Sequence, residues 1–245
     1  MVSREDEANA PRRRLSRGRR LTQDIQAIRR GIEAFFATTD EDGRKVCSAI
    51  CGIYAFYDYD GEPIYVGQTY ERLSSRIGRH LTNQRTDAVA MHVLDPMEVA
   101  SIEVWPLWGL EKSSNNDKVS TLIRAEYTVY VQLSGQAQVT KLLNEVAPAP
   151  AELIDLPRSY RGDIVTGELR LRLGHADERI ARRAATIANL AQVIKERDVS
   201  LGLRGTLLTQ AQRLERLGRE RWEEVAGQET PEEQVEETLR SGPEE

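Results

Sequence analysis

The chain has 245 residues, 40% hydrophobic and 30% charged, and a formal net charge of −5, enough for one mid-sized domain and a second small one. It has no run of about 18 apolar residues, which excludes a membrane span, and no apolar stretch follows the basic N-terminus as in a secretory signal. A cytoplasmic protein without membrane contact is expected.

The charge is divided along the chain. Residues 1–30 hold nine Arg against four acids, and residues 223–245 hold nine Glu against one Arg. The global acidity therefore belongs to a C-terminal tail (223–245) that reads as solvated. At the other end, residues 1–20 read as a flexible basic arm, either a phosphate-attracting tether or a plain solvated tail.

From Leu21 to Phe36, Ile25, Ile28, Ile32 and Phe35 recur at helical spacing behind Thr22, a candidate N-cap. Cys47 and Cys51 are the only cysteines, too few for a four-ligand zinc site and expected to be reduced. Ala49–Tyr57 and Pro63–Gly67 are β-rich runs about the turn cluster Asp58-Tyr59-Asp60-Gly61, which predicts an antiparallel hairpin. That cluster also begins like a calcium loop, but Thr69 stands where such a loop needs a bidentate acid. Arg72–Leu81 follows as a helix with Leu73, Ile77 and Leu81 on its buried stripe, and Val99–Leu107 as a third strand. After a polar loop, Val119–Leu133 predicts a strong helix. The Pro/Ala-rich stretch Ala147–Pro157 opens a linker spanning 148–165. Residues 166–222 predict an αα-hairpin, with Ile180, Ala184, Ile187, Ala191 and Ile194 on one stripe and Leu203, Leu207, Leu214 and Leu217 on the other. Gly202 and Gly205 are expected to separate the two helices. The fold class is α/β, with a central three-stranded antiparallel sheet flanked by helices and a C-terminal helical hairpin.

Several residues stand out chemically. Glu126 falls among Leu122, Ile123, Val129, Tyr130 and Leu133 on the apolar side of its helix, where a carboxylate costs several kcal/mol unless paired or bound to a cation. An ion pair with Arg124 or another Arg is the structural alternative. Arg76 and His80 are one helical turn apart and share a face, with Arg72 and Arg79 on the same helix. An arginine fork suits a pair of phosphate oxygens; a solvated basic face is the plainer reading of Arg72 and Arg79. His92 and His175 read as ordinary.

Gly52-Ile53-Tyr54, followed by Tyr65-Val66-Gly67 and then by Arg76, His80, Glu126 and Asn144 in order, resembles the GIY-YIG nuclease superfamily over residues 49–145. The resemblance implies a nuclease domain at 21–147 including the N-terminal helix, and an endonuclease that hydrolyses DNA phosphodiester bonds with a single Mg²⁺ or Mn²⁺. It implies Tyr54 as general base, Tyr65 as positioner of water or phosphate, Arg76 as phosphate ligand, and Glu126 as metal ligand. His80 and Asn144 join the catalytic set, with Arg72 and Arg79 on the nucleic acid. Two other readings stay open: a non-catalytic nucleic-acid-binding or assembly module, and an RNA-directed nuclease. A homodimer through the C-terminal helices is also left open.

Overall fold

The structure, a computed structural model, describes residues 17–82, 93–139 and 141–227, with side chains of the first helix from Gln23 onward. Most of the expected basic arm, His92 and the end of the acidic tail lie outside the described residues. Six α-helices and four strands are described: α1 (Arg17–Phe36), β1 (Gly52–Tyr57), β2 (Pro63–Thr69), α2 (Leu73–Leu81), β3 (Ser101–Pro106), α3 (Asn115–Gln136), β4 (Tyr160–Asp163), α4 (Gly167–Leu173), α5 (Ala176–Glu196) and α6 (Leu201–Ala226). Because α1 begins at Arg17, Thr22 lies inside it and is not its N-cap, and residues 17–20 of the expected arm are helical. Among the described residues no helix is long and apolar enough to cross a membrane.

The strands form one antiparallel sheet in the order β2-β1-β3-β4. The expected hairpin is present, with Tyr54 opposite Gly67 and Phe56 opposite Tyr65. Central β1 is buried along its whole length, and alternation divides it between two cores. Tyr54 and Phe56 join Ile102, Val104, Ile32, Phe35, Leu73 and Ile77 on the side of α1 and α2. Ile53, Ala55 and Tyr57 join Val66, Trp105, Leu122, Ala125 and Val129 on the side of α3.

The sheet has four strands rather than the expected three. The fourth comes from within the predicted linker: Tyr160–Asp163 pairs with β3 from Val104 to Ser101. Its sequence, Tyr-Arg-Gly-Asp, carries no apolar alternation because it is an edge strand whose cover is supplied by α1. A Cβ on Gly162 would lie 2.9 Å from the Phe35 ring, and one on Gly31 of α1 would overlap the carbonyl of Ile164. The two glycines let helix and edge strand close on each other.

The helical hairpin is present, but its break falls at residues 197–200. Gly202 and Gly205 are both inside α6, where a Cβ on Gly202 would overlap the Glu145 carbonyl. Its buried face also differs from the apolar stripe. On α5 the buried residues are Arg179, Arg183, Leu190 and Val193, while Ala184 and Ala191 are exposed. The arginines are turned inward because the β1–β2 turn is acidic. Asp58, fully buried, accepts from the backbone amides of Asp60 and Glu62 at 3.1 Å through Oδ1, and from Arg179 and Arg183 at 3.0 Å through Oδ2. Buried Glu98 accepts from Arg182 and Arg183. Arg213 of α6, 0% exposed, donates to the Pro63 carbonyl at 3.0 Å and reaches Glu62 at 3.4 Å. Burial, then repulsion from Arg183, pull the Arg213 guanidinium down to about 10.

Asp58→Asn retains an acceptor for the turn amides but removes the anion facing two buried guanidiniums. Removing one partner of a buried ion pair costs about 3–5 kcal/mol, and a loss of that size is expected in urea unfolding. Glu41→Ala, at the exposed partner of Arg158, should leave the unfolding midpoint in place.

Candidate active site

The sheet and α2 assemble one polar cluster on the α2 face of the β1–β2 hairpin. Tyr54 and Tyr65 lie on the same face of neighbouring strands, their ring centroids 6.1 Å apart. Helix α2 lies across that face, its start tied by the Leu73 amide donating to the Ala49 carbonyl at 3.0 Å. Leu73, Ile77 and Leu81 anchor it, which brings Arg76 and His80 over the tyrosines. Arg76 Nε donates to the Tyr54 hydroxyl at 3.3 Å, and the same oxygen lies 3.1 Å from His80 Nδ1. The imidazole also meets the Tyr65 ring edge-on, centroids 4.8 Å apart. Phe56, two residues along the strand from Tyr54, stacks on Tyr65 at 5.6 Å; its position on β1 was the available signal for a place in this cluster.

Gly67 is explained by the side chain opposite it. A Cβ at this position would lie 2.5 Å from the Tyr54 hydroxyl oxygen and 2.6 Å from its ring carbon. The tyrosine lies over the bare backbone of the neighbouring strand, a close approach that only glycine admits. Gly52-Ile53-Tyr54 and Tyr65-Val66-Gly67 are thus one packing unit.

Burial drives the Tyr54 phenol above its usual range, against the Arg76 charge and a hydrogen bond from Tyr65. Burial raises Tyr65 well above it too. Both phenols are therefore neutral near pH 7. Arg76 donates to the Tyr54 hydroxyl, and His80 Nδ1 lies within hydrogen-bond reach of the same oxygen, where the imidazole tautomer decides which of the two donates. The Arg76 guanidinium is raised by Tyr54 and Tyr65 in spite of burial. Its Nη edge makes no hydrogen bond or ion pair among the described residues.

Glu126 reaches this cluster from α3, which begins at Ser114 with the side-chain oxygen accepting from the Asp117 amide. The buried stripe of α3 is Leu122, Ala125, Thr128, Val129 and Leu133, while Ile123 is exposed. Glu126 thus sits on the flank of the stripe rather than at its middle, and is half-buried. Desolvation pushes its carboxyl up to about 7, against the Gln68 backbone amide and the Arg76 charge. The charge of Glu126 is felt in turn by Tyr54, Tyr65 and Tyr70. The alternative partner Arg124 is engaged elsewhere, with Glu152 at 2.8 Å.

The remaining expected site residues are placed differently. Asn144 spends its amide on the edge strand: Oδ1 accepts from the Val66 amide at 3.2 Å and Nδ2 donates to the Val66 carbonyl at 2.7 Å. With the Leu143 amide donating to the Ile64 carbonyl at 2.7 Å, it covers the outer edge of β2. Arg79 forms a two-pronged pair with Glu71. Arg72 is the exposed N-cap residue of α2. His175 caps α5 by accepting from the Asp177 amide. Cys47 and Cys51 are free and buried, and burial pushes the Cys47 thiol up to about 12. Among the described residues no group of three or more His, Cys, Asp or Glu gathers as a metal cage.

Two measurements check this arrangement. Gly67→Ala places a methyl group against the Tyr54 oxygen, so a loss of about 1–3 kcal/mol from overpacking is expected in urea unfolding. In a Tyr54→Ala background most of that loss should disappear, as contacting residues couple. The second is pH-dependent. A carboxyl raised from 4.5 to about 7 by folding adds stability that is complete below about pH 4.5 and lost as pH rises through 7. Wild type should lose on the order of 2 kcal/mol more than Glu126→Gln between pH 4.5 and 8, and thermal melting should place the variant higher at pH 8. Comparison with family models, with curated proteins and with solved structures returned no match for this chain.

Proposed function

We propose that the chain is a metal-dependent endonuclease that hydrolyses DNA phosphodiester bonds through a GIY-YIG site with one divalent ion. The observation that carries this reading is the convergence of Tyr54, Tyr65, Arg76 and His80 on one hydrogen-bonded and ring-stacked cluster, with the Glu126 carboxylate electrostatically coupled to it. A structural cluster has no need of a desolvated carboxylate beside two neutral phenols and a guanidinium with an open edge.

Glu126 fits a divalent ion: it is a hard oxygen donor, desolvated, with no ion pair among the described residues. With a single protein carboxylate, the other positions fall to water and substrate oxygens, which suits Mg²⁺ or Mn²⁺. When bound, such an ion would neutralise charge on the phosphate and make its water more acidic. The Arg76 Nη edge would hold non-bridging phosphate oxygens while Nε stays on Tyr54. Tyr54 is fully buried and Tyr65 only partly so, so Tyr65 meets the water and Tyr54 stands one step behind it. With His80 in the tautomer that leaves Nδ1 unprotonated, proton removal then runs from Tyr65 to Tyr54 to Nδ1, each phenol passing on one proton as it receives one. The imidazole is the final acceptor, so no phenolate has to persist despite the raised phenol pKa values.

Incubation of supercoiled plasmid with Mg²⁺ or Mn²⁺ tests the reading. Wild type should nick or linearise the DNA. Glu126→Gln should abolish cleavage while retaining fold and DNA binding, and His80→Ala should slow it by about 10²–10⁴-fold. Binding without cleavage by wild type would make the chain a nucleic-acid-binding module, and cleavage of RNA alone would reassign the substrate. Cleavage retained in Glu126→Gln would remove that carboxylate from the site.

A further inference from the structure

Gln68 is the residue before the end of β2, opposite Ile53. Strand alternation places Tyr65 and Gly67 under α2, and Val66 and Gln68 on the opposite face, under α3. The neighbours confirm the side: Val66 and Ile53 share the core of Leu122, Ala125 and Val129. Glu126 arrives on this face from the same helix, and the Gln68 backbone amide is turned to its carboxylate. The Gln68 side chain ends in a buried Oε1 with no hydrogen-bond partner.

A buried carbonyl oxygen without a donor costs about 1–3 kcal/mol, and such groups are rare enough to call for a reason. The polar neighbour that Gln68 meets through its own backbone is Glu126, which when ionised is also an acceptor. Two oxygen acceptors, the buried Oε1 on the α3 face of β2 and the carboxylate that the Gln68 backbone amide meets, are complementary to a cation or to the hydrogens of water bound to one. Leu or Met would fill the same volume at this position without leaving a buried oxygen unmatched.

We propose that Gln68 Oε1 is a second protein oxygen of the Glu126 ion site, reaching the divalent ion directly or through one of its bound waters. The proposal rests on the reading of Glu126 as an ion ligand. It assigns the amide a task that the tyrosine, arginine and histidine cluster does not perform: narrowing the coordination sphere on the α3 side of the sheet.

The test is a titration of the full chain with Mn²⁺, followed by the loss of the free-ion EPR signal, with no DNA present. Wild type should show a site that Glu126→Gln lacks. Gln68→Leu should weaken that site by about 10-fold or more, the scale on which outer-shell partners act, and Gln68→Glu should hold Mn²⁺ at least as tightly as wild type. Thermal melts of both variants confirm that they are folded, and Gln68→Glu carries the test if Gln68→Leu does not fold. Unchanged Mn²⁺ affinity in Gln68→Leu, or a weakened site in folded Gln68→Glu, overturns the assignment of Gln68 and leaves that of Glu126 standing. A wild type whose Mn²⁺ binding is identical to that of Glu126→Gln overturns both.

Discussion

The Asp58 carboxylate is shut away from water and met by four N–H donors, two from its own turn and one from each of Arg179 and Arg183. Much of the architecture follows from satisfying that one group. The turn amides fix the tip of the β1–β2 hairpin, and the two guanidiniums fix where α5 crosses it. Arg213, donating to Pro63 and close to Glu62, then places α6 against the first residue of β2. Buried ion pairs are weak evidence for net stability, but their geometry discriminates sharply among ways of docking. The hairpin is thus held at its turn by charge and covered along one face by the tyrosine cluster.

How legible this was in the sequence depended on the kind of force involved. Apolar periodicity located β1, β2, α2, β3 and α3, because each buries a face against the sheet. It failed at Tyr160–Asp163, an edge strand with a polar face and a glycine under Phe35. It also chose the wrong face of α5, because Arg179 and Arg183 point inward and a hydrophobic pattern counts arginine as outward. No local rule gives the sign of a partner more than a hundred positions away. Chain order put Tyr54, Tyr65, Arg76, His80 and Glu126 into one expected site; the structure brings the first four into contact, and Glu126 acts on them through its charge. Asn144 entered the expected catalytic set only through the resemblance, and the structure shows both its polar atoms bonded to Val66.

The candidate site draws on both faces of one sheet. The phenols, imidazole and guanidinium lie under α2, while Glu126 and Gln68 belong to the α3 side, and edge strand β2 supplies residues to each. Gly67 and Gln68 are adjacent and point to opposite faces, so a single dipeptide serves both halves. The register that sets Tyr54 over Gly67 also turns the Gln68 backbone amide toward Glu126. A one-residue slip of β2 would exchange the two faces. Asn144 and Leu143, bonded along the outer edge of β2, oppose that slip.

The contacts that close the acidic turn join residues 121, 125 and 151 positions apart. During synthesis the β1–β2 hairpin leaves the ribosome well before the arginines that neutralise it, and Arg213 of α6 follows those of α5. Long-range closures of this kind slow folding, and the unpaired turn disfavours early completion of the sheet. The tyrosine, arginine and histidine cluster sits on that same hairpin, so the contacts that brace it from the turn form only after the chain has been made as far as Arg213. A nascent fragment that already contains every residue of the cluster still lacks the helices that hold the hairpin beneath it.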